Sequence, residues 1–254
     1  MGRLIDLSGK GAVVTGGSRG VGRATALALA RAGADVGIGY RSREEEAKAT
    51  VDAIRGEGVH GWAQRGDLSR PEESEALFER AEQELGGLDL FVGNAGIWPP
   101  EDVPLEEMGE ARWRRTLSVN LDAIFFTLRG ALRRMEAGGR IVLVTSTAAQ
   151  RGEAYHGDYA ASKGAIQSLV KGLCVETGDR GITVNAVAPG WIDTEMSASA
   201  YADGGKERIA ASIPLGRVAT AEDVAGPILF LCSSLARHIT GEVLNVNGGA
   251  VLAG

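Results

Sequence analysis

The sequence predicts one doubly wound α/β domain, a mostly parallel sheet with helices on both faces. Three observations carry this. Strand-like and helix-like segments alternate along the whole chain, as in successive β-α-β units. Several strand-like runs, Ile-Val-Leu-Val at 141–144 above all, hold neither charge nor alternation, which marks strands covered on both faces. The first strand meets the first helix in a glycine-rich turn, Thr15-Gly-Gly-Ser-Arg-Gly-Val-Gly22.

The elements follow in order. Residues 12–15 read as a buried strand, and the glycine turn leads into a helix over 21–32. A strand over 35–40 precedes a charged helix over 44–56, and 59–65 reads as a third strand. Pro71 opens a helix to 85, since proline suits the first helical position. A short apolar strand at 88–92 ends in Gly93-Asn94-Ala95-Gly96, and a proline-rich loop precedes a long helix over 105–137, broken near Gly109. The strand at 141–144 is followed by a helix through Tyr159 and Lys163 to about 177. Residues 182–188 are strand-like, 197–212 irregular or weakly helical, 221–234 helical, and 243–246 a last strand. No repeat, low-complexity tract or linker divides 1–254, so one domain is expected.

Composition narrows the function. With 254 residues, 44% of them hydrophobic, the chain can bury a substantial core. A net charge of −6 argues against non-specific binding to nucleic acid or to an anionic membrane. Cys174 and Cys232 lie in apolar helical patterns and are expected as two buried thiols without a disulfide, which suits a reducing cytoplasm. No apolar run approaches membrane-spanning length, and residues 1–10 lack a signal-peptide core, so a soluble cytoplasmic protein is expected. Of three histidines only His156 lies near the reaction segment described below, and no metal-ligand spacing occurs.

Gly16, Gly20 and Gly22, with Ser18, Arg19 and Val21 between them, would let backbone approach a pyrophosphate at a helix amino terminus. The end of the second strand selects the dinucleotide: an acid binds the ribose 2′-hydroxyl of NAD, a base accommodates the 2′-phosphate of NADP. Here the residues are Tyr40-Arg41-Ser42-Arg43, with Arg19 as a further phosphate partner, so NADP(H) is expected over NAD(H). The alternative is that Arg41 and Arg43 merely begin a solvated helix.

The reaction segment is 141–163. Its strand ends in Thr145-Ser146, and open sheets bind ligands beyond the carboxyl ends of their strands. Tyr159 and Lys163 stand at i, i+4, one turn apart on one helix face. A neighbouring ammonium is expected to lower the phenol's pKa, and Ser146 to add a hydrogen-bond donor. Donor, tunable acid and tuning cation are what reduction of a carbonyl requires. Asp67-Leu68 after the third strand, Asn94-Ala95-Gly96 after the fourth, Asn120 within an apolar helix and Ala188-Pro189-Gly190-Trp191-Ile192-Asp193-Thr194 complete the set. Read alone, Asp67 is equally a turn or cap residue, and Asn120 equally a kink.

Together these motifs, from Gly9 to Gly249, resemble the short-chain dehydrogenase/reductase family, and within it most resemble 3-oxoacyl-carrier-protein reductases and related sugar and polyol dehydrogenases. The resemblance implies a Rossmann-type fold and an NADP(H)-dependent enzyme acting on a small carbonyl or alcohol substrate, free or carrier-bound. It implies that Ser146 polarises the carbonyl and that Tyr159 exchanges its proton. Lys163 tunes Tyr159 and holds the nicotinamide ribose, and Asn120 holds a water in the proton path. It further implies Asp67 and Leu68 at the adenine, Asn94, Ala95 and Gly96 beside the coenzyme, and Pro189, Gly190, Ile192 and Thr194 at the nicotinamide. Gly93 departs from the second asparagine usual there. A lid over about 191–213 and a homotetramer joined by helices around Phe125 and Leu169 are also implied. Arg129, Arg133, Arg134 and Arg180 are candidates for a basic patch that docks an acidic carrier. A sugar-nucleotide epimerase would need more chain after Lys163, and a non-catalytic NADP sensor would not need Ser146, Tyr159 and Lys163 together.

Overall fold

The computed structural model describes residues 4–252 and has the doubly wound architecture. The strands are β1 (Gly11–Thr15), β2 (Asp35–Tyr40), β3 (Gly61–Arg65), β4 (Leu88–Gly93), β5 (Met135–Val144), β6 (Thr183–Pro189) and β7 (Val243–Val246). They pair in parallel in the order β3-β2-β1-β4-β5-β6-β7. The order therefore reverses between β1 and β4, where the carboxyl ends of such sheets open a crevice.

The helices are α1 (Gly20–Arg31), α2 (Glu44–Gly56), α3 (Pro71–Leu85), α4 (Glu110–Leu117), α5 (Ala123–Arg134), α6 (Ala148–Arg151), α7 (Gly157–Glu176), α8 (Gly205–Ala211) and α9 (Ala221–Cys232). Successive strand residues feed opposite cores, as a period of two requires. Val14, Ile38 and Val142 pack with Leu29 of α1, Ile54 of α2 and Ile228 of α9. Val13, Phe91 and Ile141 pack with Phe78 of α3, Leu128 of α5 and Ile166 of α7. The bounds 35–40 and 243–246 agree with the sequence reading to the residue.

Three expectations need correction. The third strand begins at Gly61 and not at 59, because the His60 N–H is taken by the Asp35 carboxylate at 2.7 Å. The long helix does break at Gly109, but it also contains a π turn, Ser118–Asp122, and ends at Arg134 and not at 137. Met135 is buried and pairs with Leu88, so the backbone turns into β5, whose register then shifts so that Arg140 faces Leu90. Cys232 is buried, and burial pushes its thiol up to about 12, but Cys174 is only half-buried and donates to the Lys171 carbonyl at 3.2 Å. No helix among the described residues is long and apolar enough to cross a membrane.

One polar tie fixes α4 on α7. Asp158, fully buried at the start of α7, accepts from Thr116 Oγ1 at 2.7 Å and from Arg112 Nε at 3.2 Å. Burial alone would raise this carboxyl, but hydrogen bonds from Thr116, Arg112 and the Tyr159 backbone outweigh it and the net shift is downward. Arg112→Ala would strand a buried charge. The expected loss is roughly 3 kcal/mol, the low end for a broken buried pair because Arg112 keeps some solvent contact. For a chain of this size that is a fall in Tm of roughly 6–12 °C. A depressed folded pKa means the stabilisation is complete above the unfolded value of about 3.9 and is lost as pH falls through the folded one. Thermal melts of both proteins should therefore differ fully at neutral pH and converge in acid; equal melting temperatures at neutral pH would refute the tie.

Candidate active site

A cavity of about 930 Å³ runs along the carboxyl ends of β3, β2, β1, β4, β5 and β6. From the glycine turn it is lined by Gly16, Ser18, Arg19, Gly20 and Val21, and after β2 by Tyr40, Arg41 and Ser42. Asp67 and Leu68 follow β3, and Asn94, Ala95 and Gly96 follow β4. Ser146, Tyr159, Lys163, Pro189, Gly190, Ile192 and Thr194 line the remainder. Of the catalytic and coenzyme-binding residues expected from the sequence, Gly22 and Asn120 do not line it.

The glycine turn explains Gly22. A Cβ there would come within 2.6 Å of Asn94 Nδ2 and closer still to the Gly16 carbonyl, so only glycine lets α1 start this near the turn. Gly16 has a left-handed φ of 66°, which side chains resist. Arg19 is the N-cap of α1 and supplies no side-chain cap, and no acid lies in the first turn. The first amide N–H groups thus remain for a ligand, with the positive end of the helix dipole behind them. Opposite, Asn94 Nδ2 donates to the Thr15 carbonyl at 2.9 Å, and Thr15 Oγ1 accepts from the Asn94 and Ala95 N–H groups at 3.0 Å each. A cavity that begins at an uncapped helix start and passes two arginines before it reaches a phenol fits a dinucleotide.

At the other end Ser146 and the Tyr159 phenol line the same end of the cavity, near enough for the serine hydroxyl to act on the phenol. Burial is the largest influence on that phenol. Burial pushes Tyr159 up to about 12; Ser146 opposes the shift and the Glu153 charge adds to it. Lys163 is itself pushed down to about 8 by burial. Its Nζ donates to the Val144 carbonyl at 2.9 Å and stands 6.0 Å from the phenol ring centre, so the ammonium lies between the strand end and Tyr159. Asn120 is fully buried in the π turn. Its Oδ1 accepts from Ile97 N–H at 2.8 Å, and its Nδ2 donates to the Ile97 carbonyl at 2.9 Å and to Ser162 Oγ at 3.1 Å. Gly96 sits between the two: a Cβ there would lie 3.1 Å from Asn120 Oδ1 and 3.3 Å from Lys163 Nζ.

Asp67 proves to be both a turn and a pairing residue. Its Oδ1 accepts from Ser69 N–H at 3.2 Å, and its carboxylate meets Arg41 at 3.0 Å. Burial would raise it, but the Ser69 hydrogen bonds and the Arg41 charge bring it below the usual range. The basic patch is mostly spent. Arg134 pairs with Glu75 at 2.7 Å and Glu82 at 3.3 Å, Arg180 donates to the Leu132 and Met135 carbonyls, and Arg129 lies over Phe125 and Phe126.

The substrate end of the cavity has its own wall. Trp98 Nε1 donates to Glu153 Oε1 at 3.3 Å, and Trp98 meets Trp191 edge-on at 5.9 Å, so an acid and two indoles face the phenol. His156 is not in that wall; it is buried beneath Trp98, stacked at 4.8 Å. Asp158 holds the helix turn that carries Tyr159, and Glu195 reaches back to Arg19 and Arg43. An acid just before Tyr159 was visible in the sequence, but its partner forty-odd residues away was not. Among the described residues no cluster of metal-ligating side chains occurs.

Known proteins agree with this arrangement. The sequence profile of a family described as enoyl-(acyl carrier protein) reductase matches residues 16–251. The 3-oxoacyl-[acyl-carrier-protein] reductase FabG of Staphylococcus aureus is 37% identical over 242 residues, 94% of this chain and 97% of that protein. Its Vibrio cholerae counterpart is 39% identical over 247 residues, 96% and 98%. Among solved structures, a blue fluorescent protein from a metagenomic library in complex with NADPH superposes with a TM-score of 0.91 at 37% identity, covering 97% of this chain and 100% of that one. A short-chain dehydrogenase from Burkholderia cenocepacia in complex with NADP does so with a TM-score of 0.90 at 38% identity, covering 96% and 98%. With relatives this similar along almost its full length, the chain belongs to the short-chain dehydrogenase/reductase family of oxidoreductases.

Proposed function

We propose that this chain is an NADP(H)-dependent oxidoreductase that interconverts a carbonyl and a secondary alcohol. The observation that carries the reading is one cavity with an uncapped helix start and arginines at one end and the Ser146–Tyr159 pair at the other. The nicotinamide coenzyme, when bound, supplies or accepts the hydride. Gly16, Ser18, Gly20 and Val21 would hold its pyrophosphate, Arg19, Arg41 and Ser42 its 2′-phosphate, and Asp67 and Leu68 its adenine. Gly190, Ile192, Thr194 and Lys163 would hold the nicotinamide half.

Each catalytic role follows from position. Ser146 and Tyr159 present two hydroxyls to one carbonyl oxygen. With its pKa pushed up to about 12, Tyr159 is a protonated phenol at neutral pH, fit to donate to the oxygen that gains charge. Lys163 sets the electrostatics beside the phenol ring, and Asn120 acts as a positioning residue that fixes the Ile97 backbone next to Gly96. A residue paired with Tyr159 in this way need not be kept by a protein that only senses coenzyme.

For the substrate, a 3-oxoacyl thioester is the finer reading, supported by what the named relatives reduce. A polyol or sugar dehydrogenase is the second reading, favoured by one observation: Glu153 places a hydrogen-bond acceptor beside the phenol, where hydroxyl-rich substrates find a partner. Rates with 3-oxoacyl thioesters and keto-sugars separate the two. The half-exposed Phe125 on α5 suits association of like subunits, a homotetramer on the family pattern.

Two outcomes test this reading. Tyr159→Phe keeps the ring and removes the proton, so turnover should fall by at least ~10²–10⁴, the range for lost acid–base catalysis, with coenzyme affinity little changed; most of the turnover surviving, with chemistry rate-limiting, overturns the role. NADP(H) should be preferred over NAD(H) by at least ~10-fold in kcat/KM, mostly through KM, because charged hydrogen bonds to a remote phosphate act on binding. Arg41→Ala should erase much of that preference and spare NAD(H); a wild type that favours NAD(H) shows the reading to be wrong.

A further inference from the structure

The first turn after Thr194 carries a carboxylate that no part of the reaction above uses. Glu195 opens the 3₁₀ segment Glu195–Gly204, and its Oε2 is hydrogen-bonded to Arg19 Nη1 and lies 3.5 Å from Arg43 Nη2. Arg19 belongs to the glycine turn after β1 and Arg43 to the turn after β2. Two guanidinium groups from two separate loops thus converge on a single anionic oxygen, which is how a phosphate oxygen would be met. All three side chains are about half-exposed, at 44%, 50% and 58%. The ion pairs are therefore weak enough to exchange for another anion.

We propose that Glu195 is a coenzyme-selectivity residue. Its carboxylate stands where the ribose 2′-phosphate of the coenzyme would be gripped, and it competes with that phosphate for Arg19 and Arg43. This rests on the NADP(H) reading. The exchange has a mechanical side, because Glu195 is one residue from Thr194, whose Cγ2 would lie 3.5 Å from a Cβ on Gly20. Beyond it, the Tyr201 hydroxyl donates to the Ile192 carbonyl at 2.7 Å, and Lys206 pairs with Asp193. A phosphate that takes the arginines frees the first turn of residues 195–204 from the coenzyme loops, while these contacts still hold its far end. Ligand discrimination and the order of this segment are then coupled, and linkage makes the coupling reciprocal. Arg41 does not share in this exchange, since its partner is Asp67 at 3.0 Å.

The test is nucleotide binding by calorimetry with adenosine 2′,5′-bisphosphate and with ADP, isomers whose second phosphate sits on the 2′-hydroxyl in the first and in the 5′ diphosphate in the second. Glu195→Gln should tighten the 2′,5′-bisphosphate about 3- to 10-fold and leave ADP within about twofold. The gain should shrink as salt rises, and it should vanish in an Arg19→Ala background, as a double-mutant cycle requires of a coupled pair. Hydrogen exchange over 195–204 in the wild type should quicken with the 2′,5′-bisphosphate and not with ADP. If the wild type prefers the 2′-phosphate but Glu195→Gln changes nothing, or tightens both nucleotides alike, the competition is refuted and the NADP(H) reading stands. If the wild type binds both nucleotides equally, the NADP(H) reading itself fails.

Discussion

The hydrogen bonds between Thr15 and Asn94 are the constraint on which the rest of the site depends. They bridge β1 and β4 at the one place where the strand order reverses and the carboxyl edge would otherwise splay. One hydroxyl satisfies two backbone N–H groups, and one side-chain amide satisfies a strand-end carbonyl, so the edge is closed without covering it. On one side of this clamp the glycine turn is drawn against Asn94 closely enough to exclude a Cβ at Gly22. On the other, Ala95 and Gly96 lead to Ile97, where Asn120 grips both the N–H and the carbonyl. Coenzyme loop and reaction chemistry share a single hinge point.

Around that point the protein accepts buried charge in exchange for geometry. Lys163 is nearly buried, and it is held by a strand-end carbonyl and not by a carboxylate, so burial lowers its pKa without compensation. Tyr159 moves in the opposite direction for the same reason. Such opposed shifts are costly for stability and mark a site tuned for something else. Asp158 makes the contrast plain: the same burial is outweighed there by three hydrogen-bond donors, and the carboxyl becomes a structural rivet one residue from the phenol.

Much of this was legible in the sequence because burial writes itself in composition. Uncharged runs such as 141–144 fix strands, glycines that cannot be replaced fix the turn, and Tyr159 and Lys163 share a helix face by simple spacing. What was not legible were relations between distant segments. No local pattern pairs Asp158 with Arg112, Arg41 with Asp67, or Glu195 with Arg19. The end of the helix before β5 was misplaced because Met135-Glu136-Ala137 has good helical propensity, and only pairing with Leu88 overrides it. Spacing likewise tells which face Lys163 occupies, but not that its ammonium donates to the Val144 carbonyl.

The π turn at Ser118–Asp122 has one more consequence. An extra residue within a turn advances the angular position of all that follows by about 100°. The stretch from Glu110 to Arg134 is therefore one rod cut into two phases. Before the cut, Arg112 and Thr116 point to α7; after it, Ile124 and Leu128 point to the sheet and α3. Asn120 stands at the cut, held by Ile97 and by Ser162. One continuous stretch of helix thus serves α7 with its outer half and the sheet with its inner half.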